Sequence, residues 1–186
     1  SKMFAANLDG VLLMLAISPP YSPELLGRTL TACKHAGVPL TILFNKVDIL
    51  EGDAETLDAV EQELFEITLG DVPTHYISVT ERPDETETLL RPLLEGKRTL
   101  ILGQSGMGKS TLINLLIPGA LAATNEISMA LNAGKHTTTH TQMHFGERGL
   151  ELIDSPGFQA FGLHHLSEVD LLNAFTDIRD EGNKCR

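Results

Sequence analysis

The feature that most constrains the fold of this chain is a glycine-rich loop at residues 103–110, which reads Gly-Gln-Ser-Gly-Met-Gly-Lys-Ser. It matches the pattern G-x-x-x-x-G-K-[ST], whose backbone N–H groups surround phosphate oxygens. The apolar run Thr99–Leu102 predicts a buried strand before the loop, and residues 110–117 predict a helix after it. Lys109 would reach the β- and γ-phosphates, and the Ser110 hydroxyl would bind magnesium. The predicted phosphate-binding residues are Gly103, Gln104, Ser105, Gly106, Met107, Gly108, Lys109, Ser110 and Thr111.

A second motif, Asn45-Lys46-Val47-Asp48, indicates which base is bound. It follows the apolar run Leu40–Phe44 and so lies at the carboxyl end of a predicted strand, where open parallel sheets bind ligands. The Asp48 carboxylate can accept hydrogen bonds from guanine N1–H and its amino group, whereas adenine would leave it unpaired. Lys46 would lie along the base, and Asn45 would tie the loops together. Alone, the tetrapeptide is also typical of an ordinary polar turn. Weaker backbone support for guanine is expected from Ser78, Val79 and Thr80.

A third motif, Asp154-Ser155-Pro156-Gly157, follows the apolar run Leu150–Ile153 and fits the pattern D-x-x-G. Asp154 would hold magnesium through a water molecule, and the Gly157 N–H would meet the γ-phosphate. The tetrapeptide is also a common turn, because Asp, Pro and Gly all favour turns. Its position after the phosphate loop favours the nucleotide interpretation.

The polar stretch Gly134–His140 lies between the phosphate loop and the D-x-x-G motif, and it holds threonines at 137, 138 and 139. A loop that responds to nucleotide needs a threonine whose hydroxyl binds magnesium and whose N–H contacts the γ-phosphate. All of Thr137, Thr138 and Thr139 fit, and we favour Thr138. A threonine-rich loop leading into a strand is the alternative interpretation.

The order of the motifs is rotated, since in the usual GTPase the phosphate loop comes first and the guanine motif comes near the end. This rotation is the mark of circularly permuted GTPases. Together with the segments Ala5–Asp9, Pro19–Ser22, Gly134–Thr139 and Ile153–Phe158, the chain resembles the small ribosomal subunit biogenesis GTPase A family. The resemblance extends over nearly all of the chain. Met107 and Leu8, in place of the family's usual valines, are mild departures.

The resemblance implies that GTP or GDP and magnesium are the ligands, and that the small ribosomal subunit and its rRNA are the partner. Members of that family usually carry an N-terminal OB-fold and a C-terminal zinc module, and neither is expected within residues 1–186. These residues are therefore expected to form the permuted GTPase domain alone. Cys185 lies where the family's first zinc ligand is found, so a zinc site would be incomplete in this chain.

His136 is the candidate catalytic residue. Phe158 follows the D-x-x-G motif at the position where many GTPases place a glutamine that orients water, and a phenyl ring cannot form that hydrogen bond. A neutral imidazole can accept a proton or orient water near pH 7, and the resemblance implies the same role for this histidine. The alternative is a loop histidine that stays exposed until a partner docks.

Charge and composition limit the partners. The chain has 14 lysines and arginines against 25 acidic residues, a net charge of −11, so this domain is not expected to grip RNA broadly by itself. We therefore expect the rRNA contact to lie mainly in flanking domains. The chain has no run of about 18 apolar residues and no signal for secretion, which predicts a cytoplasmic protein, and a monomer, without a membrane segment. The alternatives are a GTP-responsive binding module with incidental turnover and a permuted GTPase that acts on the large subunit.

Alternating strand and helix signals predict the α/β class, as a three-layer P-loop GTPase fold with a mostly parallel sheet. On the strand near residues 141–145, His140, Gln142 and His144 are expected on one face and Thr141, Met143 and Phe145 on the other. That alternation argues against a metal site built from histidines. Strands are predicted near Val11–Ile17, Leu40–Phe44, Thr74–Ser78, Thr99–Leu102, Thr141–Phe145 and Leu150–Asp154. Helices are predicted near Pro23–Ala36, Ala54–Leu69, Glu85–Leu94, Lys109–Ile117 and Ser167–Phe175.

Overall fold

The computed structural model describes residues 7–120 and 141–155. Their strands form a six-stranded sheet in the order β3-β2-β1-β4-β6-β5, in which every neighbouring pair is parallel except β5 and β6. The strands are β1 (Gly10–Ala16), β2 (Leu40–Asn45), β3 (Thr74–Ile77), β4 (Arg98–Leu102), β5 (Gln142–Phe145) and β6 (Glu151–Asp154). The helices are α1 (Pro23–Ala36), α2 (Ala54–Thr68), α3 (Pro83–Leu94) and α4 (Lys109–Leu116), with short 3₁₀ turns at Val47–Leu50 and Glu147–Gly149.

Helices cover both faces of the sheet, because the central strands are apolar on both sides. Along β1, Leu12 and Met14 belong to one core, and Leu13 and Leu15 belong to the other. Helices α3 and α4 supply the first core, with residues such as Leu90 and Leu112, and α1 and α2 supply the second. A parallel strand buried on both faces reads as a continuous apolar run, as this one does. The predicted three-layer α/β fold is confirmed.

The register of the sheet brings the ends of distant strands together. Asn45 at the end of β2 is paired with Ala16 of β1 and Ile77 of β3, while Asp154 at the end of β6 is paired with Ile101 of β4. The loops that follow β1, β2, β3 and β4 therefore lie at the same edge of the sheet as the end of β6. Ligands of parallel sheets bind at this carboxyl edge.

The observed elements lie close to their predicted bounds. Helix α1 covers Pro23–Ala36 as predicted, and α3 begins at Pro83, two residues before the predicted Glu85. In β5, His144 faces the interior, whereas Met143 and Phe145 are exposed, so the predicted alternation is correct for these three side chains. The predicted helix at 167–175 lies outside the described residues. Within the described residues, none of the helices is long and apolar enough to cross a membrane.

Candidate nucleotide-binding site

The phosphate loop connects β4 to α4, and its shape depends on glycine. Gly108 has a φ of +100°, and a Cβ there would lie 2.4 Å from Nδ2 of Asn45. No other residue type fits without displacing that amide. Helix α4 begins at the next residue, Lys109, so its free N–H groups and partial positive charge lie at the loop, as in sites that bind phosphate.

Asn45 connects the phosphate loop to the loop after β3. Its Nδ2 donates to the carbonyl oxygen of Met107 at 2.9 Å, and its Oδ1 accepts from the backbone N–H of Val79 at 3.0 Å. The side chain is only 3% exposed, so both bonds are shielded from water. Because buried polar groups are costly without partners, this amide fixes the separation of the two loops.

The guanine motif continues from Asn45 into a 3₁₀ turn. Lys46 takes a left-handed backbone conformation, with φ of 67°, and its Nζ donates to the carbonyl oxygen of Ser18 at 2.7 Å. Asp48 is half-buried, and its Oδ1 accepts a hydrogen bond from the hydroxyl of Ser78. The backbone N–H of Glu81 donates to the same hydroxyl at 3.3 Å. Asp48 is thereby held beside the loop at residues 78–80, where Thr80 is exposed.

Lys109 lies folded over its own loop. Its Nζ donates to the carbonyl oxygens of Gly103 at 2.6 Å and Gln104 at 3.3 Å. Burial lowers the pKa of Lys109, and the nearby negative charge of Asp154 opposes that shift. A buried ammonium has lost the water that would solvate its charge. An anionic ligand such as phosphate would stabilise the charged form in place of that water.

Asp154 carries a buried carboxylate oxygen that lacks a partner. The residue is 4% exposed, and among the described residues Oδ1 accepts no hydrogen bond. Burial raises the pKa of Asp154, while Lys109 and His144 pull it downward. An orphaned carboxylate oxygen of this kind fits a bound cation or its water ligand, since magnesium prefers oxygen donors. Ser110 is exposed in the first turn of α4, so its hydroxyl is accessible for the same role.

Several predicted site residues lie outside the described ranges: His136, Thr137, Thr138, Thr139, Gly157 and Cys185. Their proposed roles therefore stay predictions. Among residues 7–120 and 141–155, no three His, Cys, Asp or Glu side chains are grouped as a metal cluster would require.

The loop after β1 contributes contacts that the motifs do not indicate. The carbonyl oxygen of Ser18 accepts a hydrogen bond from the Lys46 ammonium, and the backbone N–H of Ser22 donates to Oε1 of Gln104 at 3.0 Å. The motifs likewise do not indicate that the hydroxyl of Ser78 donates a hydrogen bond to Asp48. One signal was available, because Ser18–Ser22 follows a buried strand and must emerge at the carboxyl edge that carries both nucleotide motifs.

The model of the RsgA GTPase family matches residues 1–164 of the chain. The small ribosomal subunit biogenesis GTPase RsgA of Burkholderia mallei strain SAVP1 is 46% identical over 186 residues, which is all of this chain and 58% of that relative. The RsgA of Paraburkholderia xenovorans strain LB400 is 45% identical over 194 residues, and the match includes 59% of its length. The chain thus spans less than two thirds of the curated relatives it matches.

Solved structures agree on the fold. The crystal structure of YjeQ from Thermotoga maritima superimposes with a TM-score of 0.69 at 26% identity, covering 92% of this chain and 56% of that one. YloQ, a circularly permuted GTPase, gives a TM-score of 0.67 at 24% identity, covering 95% of this chain and 54% of that one. The order of the motifs and the arrangement of the strands thus agree with these relatives. The chain belongs to the RsgA GTPase family.

Proposed function

We propose that this chain binds guanine nucleotides and hydrolyses GTP, as part of a protein that assists assembly of the small ribosomal subunit. The observation that carries the proposal is the double hydrogen bond of Asn45, which joins the phosphate loop at Met107 to the loop at Val79. Motifs that are far apart along the chain are thereby held together at one edge of the sheet. Relatives named as small ribosomal subunit biogenesis GTPases support the biological role.

Base selection is assigned to Asp48. Its hydrogen bond from Ser78 holds the carboxylate beside the loop at residues 78–80. Guanine offers two donors to such a group, and adenine offers an acceptor at the same edge. Sites built on hydrogen bonds of this kind discriminate by about 10⁴–10⁵. Lys46, Val47 and the backbone at Ser78, Val79 and Thr80 would form the rest of the base site.

The phosphates are assigned to the loop at residues 103–111 and the start of α4. Lys109 and the helix N–H groups would bind phosphate oxygens, and Gly157 would contact the γ-phosphate. Ser110, Thr138 and, through water, Asp154 would hold magnesium. When bound, the ion would neutralise charge on the β- and γ-phosphates. The orphaned Oδ1 of Asp154 supports this assignment.

Hydrolysis by this chain alone is expected to be slow. Phe158 stands where a water-orienting glutamine is common, and GTPases without good water positioning turn over at about 10⁻⁴ s⁻¹. His136 would accept a proton from the attacking water or orient it once the protein docks on the ribosomal particle. Stimulation by the particle follows from this assignment.

The described surface supports contact with RNA through other parts of the protein. Helix α2 presents Glu55, Asp58, Glu61 and Glu66 to solvent, and these carboxylates repel nucleic acid. We propose that the chain is a monomeric, cytoplasmic domain. Because its net charge is −11, we expect it to associate weakly with small subunits when it is separated from its flanking domains.

The experiment that tests the proposal is single-turnover cleavage of GTP by the intact protein that contains this chain, with and without purified small ribosomal subunits. We expect stimulation by the subunit, and loss of most of that stimulation in His136→Ala with GTP affinity retained. His35→Ala, in the exposed last turn of α1, is the control for removal of an imidazole. Stimulation that survives His136→Ala undiminished would remove His136 from the mechanism.

The same experiment separates the hydrolase from the second candidate, a GTP-responsive binding module. Phe158 favours that candidate, because the chain lacks the usual group for activating water. Nucleotide-dependent co-sedimentation with small subunits, without any stimulation of cleavage, would support the binding module. Binding and stimulation with large subunits instead would redirect the proposal to the other particle.

A further inference from the structure

The loop after β1 contacts both halves of the proposed nucleotide site. We name its residues Ser18–Ser22 the bridging segment. At one end, the Ser18 carbonyl accepts a hydrogen bond from Nζ of Lys46 at 2.7 Å. At the other end, the backbone N–H of Ser22 donates to Oε1 of Gln104 at 3.0 Å. The base motif and the phosphate loop are therefore held by opposite ends of a single short segment.

The middle of the bridging segment lies directly against the phosphate loop. A Cβ added to Gly106 would come within 3.2 Å of Cγ and Cδ of Pro19. Gly106 also has a φ of +85°, a conformation that favours glycine. A side chain at residue 106 would therefore press on the proline ring, which places the loop and the segment in close contact at this point.

The bridging segment is itself anchored in the core. The ring of Tyr21 meets the ring of Phe44 edge-on, with centroids 6.1 Å apart and planes at 86°. Phe44 is completely buried in β2, one residue before Asn45. The hydroxyl of Ser22 accepts from the Leu25 N–H at 3.3 Å and caps α1. The segment is thus fixed by the sheet at one side and by a helix at the other.

We propose that the bridging segment couples the base half of the site to its phosphate half, with Gln104 as the positioning residue. The Gln104 side chain holds the segment against the phosphate loop, and the segment presents the Ser18 carbonyl that orients Lys46. Loss of the Gln104 bond therefore loosens Lys46 as well. The inference rests on the proposed binding of guanine nucleotide, and it adds a role for a segment and a side chain outside the base motif.

The first test is the affinity for GDP with magnesium, measured by titration calorimetry. Gln104→Met keeps the length of the side chain and removes the carbonyl acceptor, so we expect GDP to bind about tenfold more weakly, the value of one hydrogen bond. Gln62→Met is the matched control, since Gln62 lies on the exposed face of α2 and bonds only to Glu66 among the contacts described. GDP affinity equal in the parent and Gln104→Met would overturn the proposal.

The second test measures the coupling itself. If the segment links the two halves, the double variant Lys46→Met with Gln104→Met should lose at least threefold less affinity than the product of the two single losses, because coupled sites are not additive. Single losses that multiply to the double loss would overturn the coupling. A merely structural role of Gln104 would lower stability without producing this shortfall.

Two further measurements keep the outcome clear. Ser22→Ala keeps the backbone N–H and removes only the helix cap, so it should lower the melting temperature with a smaller loss of GDP affinity than Gln104→Met. Ser22→Ala weakening GDP as much as Gln104→Met would attribute the effect to the cap and overturn the role of Gln104. A parent chain that fails to bind GDP would overturn the proposed function first, and is recognisable before any variant is compared.

Discussion

Asn45 precedes Met107 by 62 residues in the sequence, yet its side-chain Nδ2 lies 2.9 Å from the Met107 carbonyl oxygen. This contact explains how a rotated motif order still yields one site. The two residues belong to loops that leave the same edge of a parallel sheet, and the position of that edge does not depend on which strand comes first along the chain. The chain order can change while the neighbours in space stay the same.

Asn45→Ala should destabilise the chain strongly. The change removes bonds to the Met107 carbonyl and the Val79 N–H and leaves both backbone groups buried, so we expect a loss of about 2–3 kcal/mol in the free energy of unfolding. Urea unfolding without nucleotide measures the loss. Asn114→Ala is the control, because Asn114 makes an exposed bond to the Gly119 N–H. Equal losses in the two variants would contradict the tie between the loops.

Asp48→Asn should change the base that is preferred. Xanthine carries an oxygen where guanine carries its amino group, so an amide at residue 48 can donate where the carboxylate could only accept. We expect weaker binding of GTP and tighter binding of xanthosine triphosphate, compared in parallel titrations. Asp58→Asn, exposed on α2, controls for the loss of one negative charge. Undiminished GTP affinity in Asp48→Asn would remove Asp48 from the base site.

Lys109→Ala and Ser110→Ala should each slow magnesium-dependent hydrolysis by about 10²-fold or more, because each removes a group aimed at the charge that develops on the phosphates. The fold should stay intact, since neither side chain belongs to the described hydrophobic cores. Single-turnover cleavage and circular dichroism check the two expectations. Lys97→Ala, whose ammonium contacts the Leu93 carbonyl at an exposed position, is the control. Unchanged turnover in both variants would falsify the phosphate-loop assignment.

Much of the fold could be predicted from the sequence because its strands are buried on both faces. The run Val11–Ile17 is shifted by one residue from the observed strand, and the run Leu40–Phe44 is one residue shorter than the observed strand. The position of a strand that is buried on both faces depends on the residue types within that stretch of chain. For β5, alternation predicted which side chains share a face, but it could not predict that His144 faces inward, since that depends on packing against other strands.

The candidate site was only partly predictable for a physical reason. A motif identifies residues that lie in one loop and are proposed to contact the ligand there, such as Gly108 and Lys109. The Gln104–Ser22 and Lys46–Ser18 bonds join side chains to backbone groups in loops far along the chain. A backbone donor or acceptor exists at almost every residue, so nothing in the sequence distinguishes Ser18 or Ser22 as the partner.

Cys33 should be chemically inert in the folded chain. It is 4% exposed on α1, and burial raises the pKa of its thiol to about 12, so almost none is thiolate at neutral pH. Thiolate is the reactive form. In a Cys185→Ser background, we expect a maleimide to label Cys33 only after urea unfolds the chain. Complete labelling of the native chain within minutes would contradict the burial of Cys33.

Asp154→Asn should stabilise the nucleotide-free chain while impairing hydrolysis. Burial raises the pKa of Asp154 above its ordinary 3.8, so keeping it ionised in the folded chain costs folding free energy; the cost begins above the unfolded pKa and is complete above the folded pKa. The asparagine removes that cost, and we expect a gain of about 1 kcal/mol in the free energy of unfolding at pH 7 without magnesium. The gain should shrink as the pH falls and disappear below the unfolded pKa, where both the folded and the unfolded parent carry a neutral carboxyl.

The same Asp154→Asn change removes the buried oxygen proposed to bind the water ligand of magnesium, so magnesium-dependent cleavage should fall. Asp58→Asn, exposed on α2, should alter neither quantity. A variant that is less stable than the parent at pH 7, or that cleaves GTP at the parent's rate, would show that Asp154 is a structural carboxylate.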